Sequence, residues 1–243
     1  MQTVLILGAT STVAIELAKI YAQQGYRLQL AARSVSRLEP IRSDLTIRFN
    51  ASIELVEFNV ENAMEHKLFY DSLNSKPDII ICLFGVLGNQ LEAEIDWDQA
   101  YQILNVNYVG AVSILNIVAQ DLKAKRKGII VGVSSVAGDR GRQSNFLYGS
   151  AKAGFTAYLS GLRNKLFHFN VHVVTINPGF INSKMIAHLK TPELLTAKPK
   201  QVALAIIKAV NKKRNVVYIL WIWKWIMIVI RFIPEPIFKR LRL

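Results

Sequence analysis

TVLILGATSTVAIELAKIYAQQ, residues 3–24, decides the fold. The apolar run Thr3–Leu7 ends at Gly8, Ala9-Thr10-Ser11-Thr12 follow, and apolar residues then recur at helical spacing from Val13 to Gln24. A buried strand, a tight turn and a helix in that order bring backbone N–H groups and the positive end of a helix to one point, an arrangement that receives phosphate.

The same alternation continues outward. Arg27–Ala32, Ser52–Phe58, Ile79–Leu83, Gly128–Ser134, Val171–Ile176 and Val216–Leu220 read as strands. Between them, helices are predicted from Ser34 to about Leu45 and over Glu61–Asn74, Trp97–Lys125, Asn145–His168 and Pro199–Lys213. Strands alternating with helices imply an α/β protein: one doubly wound Rossmann-type domain with a mostly parallel seven-stranded sheet, over residues 1–220. Residues 221–243 are expected to form a separate C-terminal amphipathic apolar tail.

Composition narrows the classes. The single cysteine, Cys82, excludes an intramolecular disulfide and fits a reducing compartment. His66, His168, His172 and His188 are scattered without partners at ligand spacing, so no metal is expected. The N-terminus runs directly into a strand with no signal peptide ahead of it, which points to the cytoplasm. The net charge of +13 is uneven: from Lys212 onward eight basic residues face one acidic residue, Glu235.

The chemistry-bearing stretch is SSVAGDRGRQSNFLYGSAKAG, residues 134–154. Tyr148 and Lys152 lie four apart and share a helix face. An ammonium there can lower the phenol's pKa and make it a proton donor and acceptor. Ser135, at a strand end, can hydrogen-bond a substrate oxygen that gains charge. The plainer reading is a surface Tyr/Lys pair. Against it, the first turn, Gly85, Ser134-Ser135 and Pro178-Gly179 all fall at the carboxyl edge, where doubly wound sheets bind ligands.

With these landmarks the chain resembles the short-chain dehydrogenase/reductase family over nearly its whole length. Tyr148 and Lys152 match that family's Y-x-x-x-K, Ser135 its serine, and Asn107 the asparagine of its central helix. The resemblance implies that Tyr148 is the general acid/base, Ser135 orients the carbonyl, Asn107 supports a proton relay, and Lys152 tunes the tyrosine and holds the nicotinamide ribose. It places the dinucleotide against Gly8, Thr10, Ser11, Thr12, Val13, Arg33, Asn59, Val60, Gly85, Tyr148, Lys152, Pro178, Gly179, Ile181 and Ser183. Two landmarks depart from the family pattern. G-x-x-x-G-x-G is Gly8…Thr12…Ala14, and N-N-A-G is Cys82-Leu83-Phe84-Gly85. Ala31-Ala32-Arg33 offers a guanidinium and no carboxylate to the adenine ribose, so NADP(H) is favoured, with NAD(H) the alternative.

GVLGNQ (85–90), the catalytic stretch and WKWIMIVIRFIPEPIFKRL (223–241) together resemble the lipid-linked 2-keto-sugar reductases of the decaprenylphosphoryl-ribose epimerase system. This implies a keto-sugar substrate in cell-envelope polysaccharide synthesis and a flavin-dependent oxidase partner. Trp221, Trp223 and Trp225 cluster in the tail, and Lys224, Arg231, Glu235, Lys239 and Arg242 share a polar stripe. That pattern predicts peripheral binding to the inner membrane face, with burial in a homo-oligomer as the alternative; nucleic acid is not expected. Arg140 or Arg142, with Gln143, is expected either to meet a substrate phosphate or to be solvated loop or an oligomer contact. A hydrophobic carbonyl substrate and a non-catalytic nucleotide binder are the competing functions.

Overall fold

The computed structural model describes residues 1–187 and 189–241; His188 and the Arg242 of the expected polar stripe lie outside them. Seven strands form one parallel sheet: β1 (Thr3–Leu7), β2 (Arg27–Ala32), β3 (Ile53–Glu57), β4 (Ile79–Cys82), β5 (Gly128–Val133), β6 (Val171–Pro178) and, last in the chain, Val216–Ile219. Their order is β3-β2-β1-β4-β5-β6 followed by Val216–Ile219, and every adjacent pair is parallel. Because β1 pairs β2 on one side and β4 on the other, the winding reverses between β1 and β4 and opens a crevice at their carboxyl ends.

The period-two pleat assigns β1 to both cores. Val4 and Ile6 pack beneath α1 (Thr12–Gln23) and the helix Pro199–Asn211, whereas Leu5 and Leu7 pack beneath the helices Gly110–Lys125 and Phe146–Leu166. α2 (Glu39–Phe49) begins later than expected because Pro40 suits only the first turn of a helix. Ser34 makes no side-chain cap; a 3-10 turn, Val35–Leu38, precedes α2. The helix expected over Glu61–Asn74 contracts to α3 (His66–Ser72) after a 3-10 turn. A short helix, α4 (Gln90–Ile95), is additional and is capped by Asn89, whose Oδ1 accepts from the Leu91 N–H at 3.1 Å.

The long helix expected over Trp97–Lys125 is α5 (Trp97–Leu104), a π turn over Asn105–Val109, and α6 (Gly110–Lys125). Then come α7 (Phe146–Leu166), the short parallel pair β7 (Phe180–Ile181) and β8 (Thr196–Ala197), α8 (Pro199–Asn211), β9 (Val216–Ile219), α9 (Ile222–Phe232) and α10 (Glu235–Phe238).

The C-terminal expectation needs correction. Among the described residues, the helix long and apolar enough to cross a membrane is Trp97–Lys125, in mid-chain, and 56% of its most apolar window is buried in the fold. The C-terminus is no apolar tail of that kind: it is two short helices, and α9 buries Trp223 and Met227 against Val136 and Phe180. The partner expectations are corrected with it: the membrane-length apolar helix among the described residues is internal rather than C-terminal, and no feature of them supports a homo-oligomer or the flavin-dependent oxidase that the resemblance implied.

Candidate active site

Two cavities share a wall along the carboxyl edge of the sheet. One encloses about 830 Å³ of open space between Gly8, Thr10, Arg33, Phe58 and Val60. The other encloses about 1020 Å³ and holds Ser135, Tyr148 and Lys152. Ser11, Leu83, Phe84, Gly85 and Met185 border both, so the two make one groove across the β1/β4 crevice.

On the first side, Gly8 has φ +87°, and an added Cβ would stand 2.7 Å from the Phe84 backbone nitrogen. Only glycine satisfies both demands. The Gly8 and Ala9 N–H groups donate to Ala31 O at 3.0 Å each, and Ser11 caps α1 by accepting from the Ala14 N–H at 3.1 Å. Ala14, in the place of a family glycine, is packed tightly at 1% exposure. Thr12, the other replacement, has a buried hydroxyl with no protein partner among the described residues, and it borders the groove beside Val13. An orphaned hydroxyl at a helix N-terminus suits an anionic oxygen. These residues therefore fit the diphosphate of a dinucleotide.

Arg33 carries one long ion pair, 3.5 Å to Glu61, and is largely exposed. Asn59 is exposed and does not line either cavity; its Oδ1 accepts from the Glu61 N–H at 3.1 Å, while its carbonyl is held by His66 Nε2 at 3.1 Å. Val60, which follows, is buried at 6% exposure and lies against Gly110, where an added Cβ would come within 2.3 Å of Val60 O.

On the second side, β5 delivers Ser134 and Ser135, and α7 delivers Tyr148 and Lys152. Ser134 Oγ ties the two together, donating to Lys152 O at 2.9 Å. Gly138 and Gly149 let the 3-10 turn after Ser135 lie directly on α7; an added Cβ would meet the Ala153 nitrogen at 2.6 Å or Ala137 O at 2.9 Å, respectively. Ser135 Oγ accepts from the Ala137 N–H at 3.1 Å, which leaves its own proton available to a ligand. Tyr148 is half-buried; burial pushes its phenol up to about 12, and the Ser135 hydroxyl pulls in the opposite direction. Lys152 is buried, donates to Val133 O at 3.2 Å, and lies 5.7 Å from the Tyr148 ring centroid. Burial pushes its ammonium down to about 8, opposed by the Cys82 thiol.

Asn107 sits in the π turn at 1% exposure and lines neither cavity. It clamps the loop that does: its Nδ2 donates to Val86 O at 2.7 Å and Ile103 O at 2.8 Å, and its Oδ1 accepts from the Val86 N–H at 3.3 Å. An added Cβ at Gly85 would stand 2.8 Å from that Oδ1. The extra residue of a π turn aims Asn107 at this loop, a use such turns often serve at functional positions.

The remaining wall comes from Pro178, Gly179, Ile181 and Ser183, all bordering the second cavity. The three candidate substrate residues separate. Arg140 is fully engaged elsewhere: its Nη1 donates to Ile230 O at 2.7 Å and Ile233 O at 2.6 Å, and its Nη2 to Glu235 Oε2 at 2.8 Å. Gln143 is exposed and outside the cavity. Arg142 does line it, with a buried Nε that has no protein partner among the described residues; burial lowers its pKa and Asp139 opposes the shift. The cavity also holds two residues that sequence reasoning missed. Asn145 brings a buried Oδ1 with no protein partner among the described residues, and Trp223 arrives from α9.

Residues 2–194 match the family model for short chain dehydrogenase. An uncharacterised oxidoreductase of Mycobacterium tuberculosis is 32% identical over 241 residues, which cover 98% of this chain and 96% of that protein. Another, from Streptomyces coelicolor, is 31% identical over 99% of this chain and 96% of its own length. Among solved structures, a short-chain dehydrogenase from Sphingobium yanoikuyae in complex with NADPH is similar at a TM-score of 0.84 and 18% identity, over 97% of both chains. One from Burkholderia cenocepacia in complex with NADP gives 0.84 at 20% identity over 100% of both. At such identities the structural likeness is one of fold.

Proposed function

The chain belongs to the short-chain dehydrogenase/reductase family, and from that premise we propose that it reduces the ketone of a substrate bearing an anionic or strongly polar group. Family membership makes it an NAD(P)(H)-dependent oxidoreductase working between carbonyl and alcohol. NADP(H) is the proposed form, because β2 ends in Ala31-Ala32-Arg33 with a guanidinium and no carboxylate. The likeness in fold to NADPH- and NADP-bound dehydrogenases supports the same choice.

When bound, the nicotinamide would supply hydride; the protein's own residues supply the rest. Thr12 and the α1 N-terminus would hold the diphosphate, and Arg33 would meet the adenine-ribose phosphate. Ser135 donates its free hydroxyl proton to the substrate oxygen as that oxygen gains charge. Tyr148 delivers the proton that completes the alcohol. A phenol held up near 12 keeps that proton at neutral pH, which suits reduction. Lys152 brings a buried cation beside the phenol, and Asn107 fixes the Gly85–Val86 backbone at the rim.

One observation carries the substrate reading: Arg142 lines a cavity otherwise walled largely by apolar side chains, and its buried guanidinium Nε has no partner among the described residues. Buried unpaired polar groups are costly, and an anionic substrate group satisfies this one. A lipid-linked keto-sugar, as the sequence resemblance implies, is the specific case we propose. The apolar lining favours a second reading, a bulky uncharged ketone. NADPH oxidation measured with a phosphorylated keto-sugar and with uncharged ketones of matched size separates them. Arg142→Ala is expected to raise KM for the phosphorylated substrate by about tenfold or more, leaving the uncharged series unchanged. An equal effect on both series overturns the anionic reading.

A further inference from the structure

We propose that Arg140 is the positioning residue that latches α9 against the catalytic segment, and that α9 so held presents Trp223 as a specificity-determining wall of the substrate cavity. The inference rests on the reading of this cavity as the ketone site.

Trp223 is 5% exposed and lines the cavity that contains Tyr148. Its indole lies on Gly179, packs edge-to-face with Phe180 at 5.5 Å between centroids, and donates from Nε1 to Leu195 O at 3.0 Å. Every one of those contacts is to the loop that follows β6. Trp223 and Met227 share one face of α9 and pack with Val136, the residue directly after Ser135. A bulky substituent on the substrate ketone therefore meets the indole, which a donor bond, a ring and a bare glycine hold in one orientation.

Arg140 explains why α9 stays there. It lies on the segment joining Ser135 to Tyr148, and its guanidinium serves the far end of α9. The last carbonyls of a helix lack intrahelical donors, and Arg140 supplies them at Ile230, Arg231 and Ile233. Its positive charge suits the negative end of the helix. It also pairs with Glu235 of α10 and stacks 3.6 Å from the centroid of the Phe238 ring. Beside it, Asp139 accepts from the Tyr218 hydroxyl at 2.9 Å, so the catalytic segment grips β9 as well. Three anchors on one short loop couple the C-terminus to the residues on either side of the site.

The test compares wild type, Trp223→Ala, Trp223→Phe and Arg140→Lys over a series of ketones of increasing bulk. Trp223→Ala is expected to shift the ratio of kcat/KM for bulky over small ketones by about tenfold or more, mainly through KM, with Trp223→Phe in between. Arg140→Lys, which keeps the charge but not the planar fork, is expected to shift the ratio in the same direction and to raise amide hydrogen exchange across 222–238. An unchanged ratio in folded Trp223→Ala, or unchanged exchange in Arg140→Lys, overturns the proposal. If no protein reduces any ketone, the proposed reaction fails. Calorimetric binding of the same ketones to the NADP-loaded proteins then decides the wall: selectivity that moves with Trp223 supports it, and selectivity that does not overturns it.

Discussion

Gly179→Ala isolates the contact on which the C-terminal packing turns. An added Cβ would stand 2.0 Å from both Nε1 and Cε2 of Trp223 and 2.6 Å from Cδ2. Ordinary contact for such a carbon is about 3.5–4 Å, so the indole must retreat by well over an ångström. It cannot swing aside without breaking the bond to Leu195 O and the edge contact with Phe180. Overpacking of this kind costs about 1–3 kcal/mol, or roughly 2–12 °C of Tm in a chain of this size. Without the clash, alanine at a compatible backbone position stabilises by about 0.4–1 kcal/mol through the unfolded state. The assay is a double-mutant cycle by thermal and urea unfolding. Gly179→Ala is expected to destabilise wild type but to be neutral or slightly stabilising in the Trp223→Ala background, a coupling of about 1.5–4 kcal/mol. Equal cost in both backgrounds would refute the indole–glycine contact and the account of how α9 is seated.

Three further outcomes follow from the same geometry. Thr12→Val keeps the shape but removes the orphaned hydroxyl, and is expected to weaken NADPH binding by about ten- to a hundredfold without lowering Tm; fluorescence titration checks this. In the pH profile, ketone reduction is expected to hold steady through neutrality and to fall as pH rises through about 8, because Lys152, lowered by burial, loses its charge there. Alcohol oxidation should instead rise with pH up to about 8, as the ionised fraction of a phenol raised to about 12 grows, and lose the support of the Lys152 charge above it. His66 is 1% exposed, with Nε2 donating to Asn59 O and Nδ1 accepting from Ser113 Oγ, and burial lowers its pKa below 6.5. The unfolded chain therefore binds a proton first on acidification. Its contribution to stability is full above pH 6.5 and is lost as pH falls through the folded value. His66→Gln should flatten that acid limb in urea melts.

The sheet was legible because its signal is local. Alternate residues of β1 enter opposite cores, and apolar strands alternating with helical stretches imply a parallel doubly wound sheet, while the order of its strands comes from the fold. Tyr148 and Lys152 were legible for the same reason, as neighbours on α7. The pairing of Arg140 with the end of α9 was not, because its partners are backbone carbonyls some ninety positions away and no spacing encodes them. The same distance misdirects the reading of the C-terminus: amphipathicity reveals that α9 has an apolar face but not what covers it, and Trp223 finds Gly179 only once β6 and β9 are paired. The π turn that aims Asn107 at Val86 is likewise invisible in a helical pattern that continues through it. The electrostatics around Lys152 also depend on the fold, since burial depresses the very ammonium that the motif assigns to tuning the phenol.

In the proposed reaction Tyr148 delivers a proton to a ketone reduced with NADPH. The direct measurement is single-turnover NADPH oxidation by wild type and Tyr148→Phe with a ketone that wild type reduces, alongside NADPH affinity. Tyr148→Phe is expected to lose about a hundred- to ten-thousandfold in rate with binding little changed. A phenylalanine variant that reduces the ketone at the wild-type rate would contradict it.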